Sequence, residues 1–208
     1  MAPFDILRLN RDELPSETQA MARFLIGKTL VMDHDGARLS GRIVETEAYP
    51  PGDAAGRAFS GESRANRSLY MNYGHAFVYL IYGRYHMLNV VSEQPGIGAA
   101  VLLRSLEPLE GVRLMEERRG TTRLQDLARG PGRLTAALGI DRRHDGIDLL
   151  DNRNLWLGRE IRSVTHMGMS ARIGLTREVN RLWRYYEVGS SFVSGTRGMN
   201  RFLTEMTL

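Results

Sequence analysis

Apolar positions along this chain fall mainly into short runs with the two-residue period of strands, interrupted by a few stretches with helical spacing. Residues 28–32 (KTLVM) and 39–49 (LSGRIVETEAY) read as strands joined by the turn DHDGA. Residues 75–83 (HAFVYLIYG) and 85–91 (YHMLNVV) read as a hairpin bending at Gly83-Arg84, and 96–106 (GIGAAVLLRSL) as a strand buried on both faces. LWLGREIRSV (155–164) and RLWRYYEVG (181–189) supply later strands. Helical spacing marks 14–27, with Ser16 as N-cap and Gly27 at the C-terminal end, 107–120, and a short helix opening at Pro131. Residues 50–68 are rich in Pro, Gly and Ser, a length of loop that is functional or mobile inside a compact domain. Without an internal repeat or linker, the pattern predicts one α+β domain over residues 1–208.

Within 39–49 the two-residue period has a chemical consequence. It places Ile43, Glu45, Glu47 and Tyr49 on one face and Val44, Thr46 and Ala48 on the other. Two carboxylates about 7 Å apart fit three readings: a solvated face meeting arginines, the paired acids of an inverting glycoside hydrolase, or one working carboxylate with a supporting neighbour. If the face is buried, one glutamate must be paired or protonated. In the hairpin, Tyr79, Tyr82 and Tyr85 surround a glycine bend with Arg84 at the tip, the combination that stacks on unpaired bases or simply fills a β-rich core.

Composition narrows the field. The chain has 208 residues, 42% hydrophobic, and no cysteine, which excludes disulfides, cysteine-bound zinc and iron–sulfur clusters. Its five histidines form no H-x-x-x-H pair, so no metal site is expected. There is no apolar run long enough to cross a membrane and no signal-peptide pattern at the start, so an intracellular, soluble protein is expected. Lys+Arg is 28 against 24 Asp+Glu, for a net charge of +4, compatible with a polyanionic partner. Lys28 is the only lysine. On these grounds alone a non-catalytic nucleic-acid-binding module remains open beside the hydrolase readings.

Several blocks, in this order and spacing, resemble the alkyladenine DNA glycosylase (3-methyladenine DNA glycosylase II) family: FLIGKTLV (24–31), GRIVETEAY (41–49), Asn66-Arg67, FVYLIYGRYHMLNVV (77–91), AAVLLRSLEPLEG (99–111) and GPGRL (130–134). The match spans roughly residues 20–195. The resemblance implies a mixed α/β fold around a curved antiparallel sheet with a protruding β-hairpin. It also implies a monomer that flips damaged purines out of double-stranded DNA and hydrolyses the N-glycosidic bond without cofactor, in the cytoplasm or nucleoid. It assigns the general base to Glu47 and the stacking pocket wall to Tyr49 and Tyr79. Tyr82 becomes the residue inserted into the minor groove, flanked by Arg84 and Tyr85. Asn89 becomes the guard against the amine of guanine, and Arg104 a neighbour of the target nucleotide's backbone. Glu45 is left with an ion-pair or supporting role. With only Lys28, in a segment that reads as structural, a Schiff-base mechanism is not expected, so the enzyme should be monofunctional and leave an abasic site.

The loop after Tyr49 departs from the family pattern. Arg57 falls where the family has a pocket histidine. Phe77 replaces a tyrosine that in some members bonds that histidine, and SRAN (63–66) replaces the usual TPRN, displacing its arginine to Arg64, which with Arg67 is expected to contact DNA. These changes bear on the range of bases accepted.

Overall fold

The computed structural model describes residues 4–34, 36–196 and 198–200, and the backbone of 205–207. Strand β1 (Thr29–His34) turns back into the long β2 (Ala37–Tyr49), and β3 (Ala76–Ile81) into β4 (Tyr85–Val91). β5 (Ala100–Glu110) precedes three helices, α2 (Val112–Arg119), α3 (Leu124–Leu127) and α4 (Pro131–Leu138). The strands β6 (Leu155–Gly158), β7 (His166–Ser170), β8 (Arg184–Glu187) and β9 (Glu205–Thr207) follow. Helix α1 (Thr18–Phe24) precedes them all. The fold is α+β: a curled antiparallel sheet in the order β3-β4-β5-β2-β8-β7-β9, with β1 joining β2 to β6.

β2 organises the sheet. It pairs with β5 along most of its length, while its other edge is shared by β1, up to Arg42, and then β8, over Glu45–Glu47. Bulges interrupt the β2–β5 ladder at Ser40/Gly41, Ile43/Glu45 and Glu45/Thr46. Gly41 is needed at the first: a Cβ there would lie 2.9 Å from that of Leu106. The extra residue at Val44 shifts the phase of the strand. Ile43 and Ala48 therefore belong to the main core, and the Thr46 hydroxyl bonds the Ala22 carbonyl of α1 at 2.8 Å, whereas Val44 packs with Tyr186 and Val193. The simple alternation that grouped Ile43 with Glu45 is thus broken by the bulge.

Other boundaries also move for physical reasons. The first helix is confined to 18–24 and its cap is Glu17, not Ser16, because the longer carboxylate reaches the amides of Gln19 and Ala20 (2.9 and 2.6 Å) and adds negative charge at the N-terminus. β5 begins later than predicted and runs on to Glu110, through residues expected to be helical. Glu110 takes the Ser40 hydroxyl at 2.6 Å, Glu107 pairs with Arg162, and α2 starts only after Gly111 (φ 70°). β6 and β8 are four-residue strands, shorter than their predicted runs, and β7 was not anticipated.

The hairpin turns one residue earlier than its sequence implied. Ile81 pairs with Tyr85, the Arg84 amide bonds the Ile81 carbonyl at 3.2 Å, and Tyr82 and Gly83 occupy the turn at φ 53° and 62°. Two central residues at positive φ are the mark of a type I′ hairpin turn. β4 meets β5 only over Asn89–Val91, so the distal half of the hairpin extends beyond the sheet. It is braced by α4, where the Thr135 hydroxyl bonds the His86 carbonyl at 2.9 Å. α4 opens at Pro131, as expected of a residue with no amide to satisfy.

Candidate active site

The C-terminal half of β2 carries both glutamates into full burial. Glu47 Oε1 accepts the Ile173 amide at 2.7 Å and lies 3.2 Å from Arg104 Nη1, while Oε2 accepts the Tyr49 hydroxyl at 2.8 Å. Burial, and then the Glu47 carboxylate, push the Tyr49 hydroxyl pKa far up, so Tyr49 is a fixed donor to Glu47. Its ring is clasped from outside: the Arg172 guanidinium stands 4.5 Å from the Tyr49 centroid and 5.0 Å from that of Trp183.

Glu45 is held differently. Its carboxylate accepts Arg104 Nε (2.9 Å), Arg184 Nε (2.6 Å), the Ser194 amide (2.7 Å) and hydroxyl (2.9 Å), and the Ser105 hydroxyl (2.8 Å). These five donors exhaust an acceptor of about four lone pairs. Burial alone would raise its pKa, but Arg104 and Arg184 outweigh it and hold it down to about 2. Glu45 is therefore a permanently ionised anchor with no capacity to take a proton at neutral pH. Arg104 bridges the two acids. Burial weakens its charged form, yet Glu47 and Glu45 together raise its pKa.

Glu47 lies behind a cavity of about 410 Å³ that opens between β2, β3, β4 and the loop after β2. Tyr49, Tyr79, Phe77, Asn89, Met87 and Arg104 are among its walls. The Phe77 and Tyr79 rings stack at 5.1 Å, and Asn89, on the strand opposite Phe77, donates to the Phe77 carbonyl at 3.1 Å. Residues 50–66 are folded as a succession of tight turns, not a free strap. Asn66 ties the loop together, accepting the Ser63 amide (2.6 Å) and donating to the carbonyls of Arg57 (2.9 Å) and Gly61 (3.0 Å). The buried Asp53–Arg172 ion pair fastens it to the segment that follows β7, and Arg172 also donates to the Ala48 carbonyl at 2.9 Å.

The residues singled out in the sequence divide into two groups. Tyr49, Arg57, Tyr79, Tyr82, Asn89 and Arg104 all line the cavity, with Glu47 bonded to two of them. Arg64, Arg67, Arg84 and Tyr85 lie outside it, exposed, with the Arg84 guanidinium 5.3 Å from the Tyr85 ring centroid. Tyr82 is 84% exposed at the hairpin tip, so one edge of the cavity is a ring standing free in solvent. Sequence reasoning missed Asp53, Arg172, Ile173, Arg184 and Ser194. Their only signal was arginine inside otherwise ordinary runs (SARIG, LWRYY), which says nothing about which carboxylate each one meets. Among the described residues no group of three His, Asp or Glu converges as a metal site, and no helix is long and apolar enough to cross a membrane. Lys28 pairs with Glu160, and its ammonium lies 4.7 Å from the Phe24 ring centroid, away from the cavity walls.

Chemically, the arrangement offers one carboxylate with acceptor capacity to spare, behind a cavity of about 410 Å³ walled in part by aromatic rings. Comparison with known proteins gives the same direction. The family model described as Methylpurine-DNA glycosylase matches residues 12–191. Proteins named "Putative 3-methyladenine DNA glycosylase" align over nearly the whole chain. The one from Mesorhizobium japonicum is 56% identical over 189 residues (91% of each chain) and the one from Paraburkholderia phytofirmans 51% over 192 (92% of this chain, 90% of the relative). The one from Chlorobaculum tepidum is 42% identical over 194 residues (91% and 92%).

Proposed function

This chain belongs to the methylpurine-DNA glycosylase family, DNA-repair hydrolases that act on N-glycosyl bonds in base excision repair, and from that premise we propose how its own residues do the work. The substrate is a damaged purine in double-stranded DNA. It is extruded from the stack into the cavity, and its release leaves an abasic site. An in-stack base is inaccessible to a carboxylate buried this deeply, so extrusion precedes chemistry.

Glu47 is the general base. Its Oε1 is occupied by Ile173 and Arg104, but Oε2 receives only Tyr49, leaving acceptor capacity there for a proton of the attacking water. As the C1′–N9 bond breaks, the same negative charge stabilises the cationic sugar. Tyr49 and Tyr79 sandwich or flank the base, and Asn89 meets its edge. Tyr82 fills the gap left in the duplex, with Arg84, Tyr85, Arg64 and Arg67 towards the phosphates and groove. With Glu45 saturated by donors, the two-carboxylate mechanism of a glycoside hydrolase has no second acid. Lys28, held by Glu160, is not a Schiff-base nucleophile, which supports a monofunctional enzyme, and we take it to act as a monomer.

The observation that carries this reading is the Glu47 carboxylate, held by Tyr49, Ile173 and Arg104 at the back of an aromatic cavity. The test uses duplexes bearing single 3-methyladenine, 7-methylguanine, hypoxanthine or ethenoadenine residues. They are incubated with wild type or Glu47→Gln and then cleaved by alkali at abasic sites. Wild type should release at least one of these bases and Glu47→Gln none. No release of any by wild type would sink the reading, and strand cleavage without alkali would sink its monofunctional part.

A further inference from the structure

The buried charges around the cavity cancel in pairs, and an exposed arginine on its wall adds one more cation. Glu45, Glu47 and Asp53 are matched by Arg104, Arg172 and Arg184. Arg57 adds a further positive charge at the wall, and among the described residues no carboxylate pairs with it. Arg57 is an exposed residue, but its guanidinium is laid over an aromatic ring of the cavity wall. It stands 4.3 Å from the centroid of the Tyr79 ring, inside the cavity lining. Burial raises the Tyr79 hydroxyl pKa, and Arg57 is the largest influence pulling the other way.

Purine lesions differ in charge. N-alkylated 7-methylguanine and 3-methyladenine are cationic in the nucleotide and leave as neutral bases. A neutral lesion takes the electron pair of the broken C1′–N9 bond and becomes anionic as it leaves, while the water oxygen bonds to C1′ and the water proton passes through Glu47 to the departing base. A cation held over the cavity wall repels the first class on entry and stabilises the second in the transition state. Guanidinium donors also match the adjacent O6 and N7 acceptors of a 6-oxopurine edge. We propose that Arg57 is a specificity-determining residue that turns this site towards neutral 6-oxopurine lesions, hypoxanthine being the simplest, and away from cationic N-alkylpurines. This rests on the glycosylase reading above.

The experiment compares single-turnover excision of hypoxanthine and of 7-methylguanine from otherwise identical duplexes by wild type, Arg57→Gln and Arg57→Lys, with melting temperatures to confirm folding. Arg57→Gln should shift the hypoxanthine/7-methylguanine rate ratio by at least about tenfold towards 7-methylguanine, and Arg57→Lys, which keeps the charge but loses the planar fork, by a smaller factor in the same direction. Excision of both bases at a ratio that Arg57→Gln leaves within about threefold of wild type would overturn this inference and leave the glycosylase reading standing. If wild type releases 7-methylguanine but no hypoxanthine, the inference also falls. If it releases neither, and none of the other lesions, the glycosylase reading falls and takes this one with it.

Discussion

The buried end of β2 and the tip of the β3–β4 hairpin both border the cavity, yet they are built on opposite principles. At Glu45 and Glu47 every carboxylate oxygen is out of water and bonded, Glu47 Oε2 by nearby Tyr49 and the other three by partners from distant parts of the chain. At Tyr82 a large ring is 84% exposed, on a backbone conformation that side-chain-bearing residues seldom adopt. The first region spends its surroundings on holding charge in place and the second stores strain to hold an apolar ring out in water. A site that needs a fixed carboxylate and an accessible wedge has reason for both.

The contrast can be attacked from either side. The largest effect should come from Glu47→Gln, which keeps the shape but loses the proposed base: excision should fall by about 10³-fold, within the 10²–10⁴ range for general bases, with little change in melting temperature. Glu45→Ala should do the reverse. It strands Arg104 and Arg184 in the interior and should cost about 3–5 kcal/mol in a denaturant titration. If Glu45→Ala instead left stability intact, the buried network would not be what fixes this end of the strand. Tyr82→Ala should leave folding unaltered and weaken binding to lesion-containing duplex by ~1–3 kcal/mol in a fluorescence titration.

Smaller effects sharpen the picture. Because the Glu45 pKa is lowered in the folded state, its contribution is fully present above its usual value near 4.5 and drains away as pH falls towards about 2. The slope of unfolding free energy against pH in that window should be shallower in Glu45→Gln than in wild type. At the hairpin, Tyr82→Gly should be more stable than Tyr82→Ala by about 1 kcal/mol, since only glycine takes the left-handed conformation without cost. Equal stabilities would mean the turn rearranges when the ring is removed.

What could be read from the sequence follows the range of the forces involved. β4 was legible to the residue, and α4 from its Pro131, because alternation and a missing amide are local properties. β7, HMGMS, has no β-branched residue, and its partners are β8 and β9, so nothing local announced it. The bulge at Val44 is fixed by how β2 and β5 fit together, and a two-residue count cannot foresee it. At the site, Glu47, Tyr49, Tyr79 and Asn89 came from the resemblance, and the structure brings them to one cavity. Asp53, Arg172 and Arg184 were silent because an ion pair is a fact about two places at once. The position of Arg57 was similarly undetermined until its guanidinium was located over Tyr79.

The reach of the Glu45 and Glu47 contacts also sets a schedule. Ile173 lies 126 positions beyond Glu47, and Arg184 and Ser194 lie 139 and 149 beyond Glu45. On the ribosome, β2 leaves the exit tunnel long before any of these partners has been made. Two carboxylates must therefore wait through most of translation for these partners, and a chain interrupted before residue 170 would carry β2 with Tyr49, Arg104 and Ser105 but without the later donors that complete its burial. The two acids are encoded early, and the set of partners that holds them is completed last.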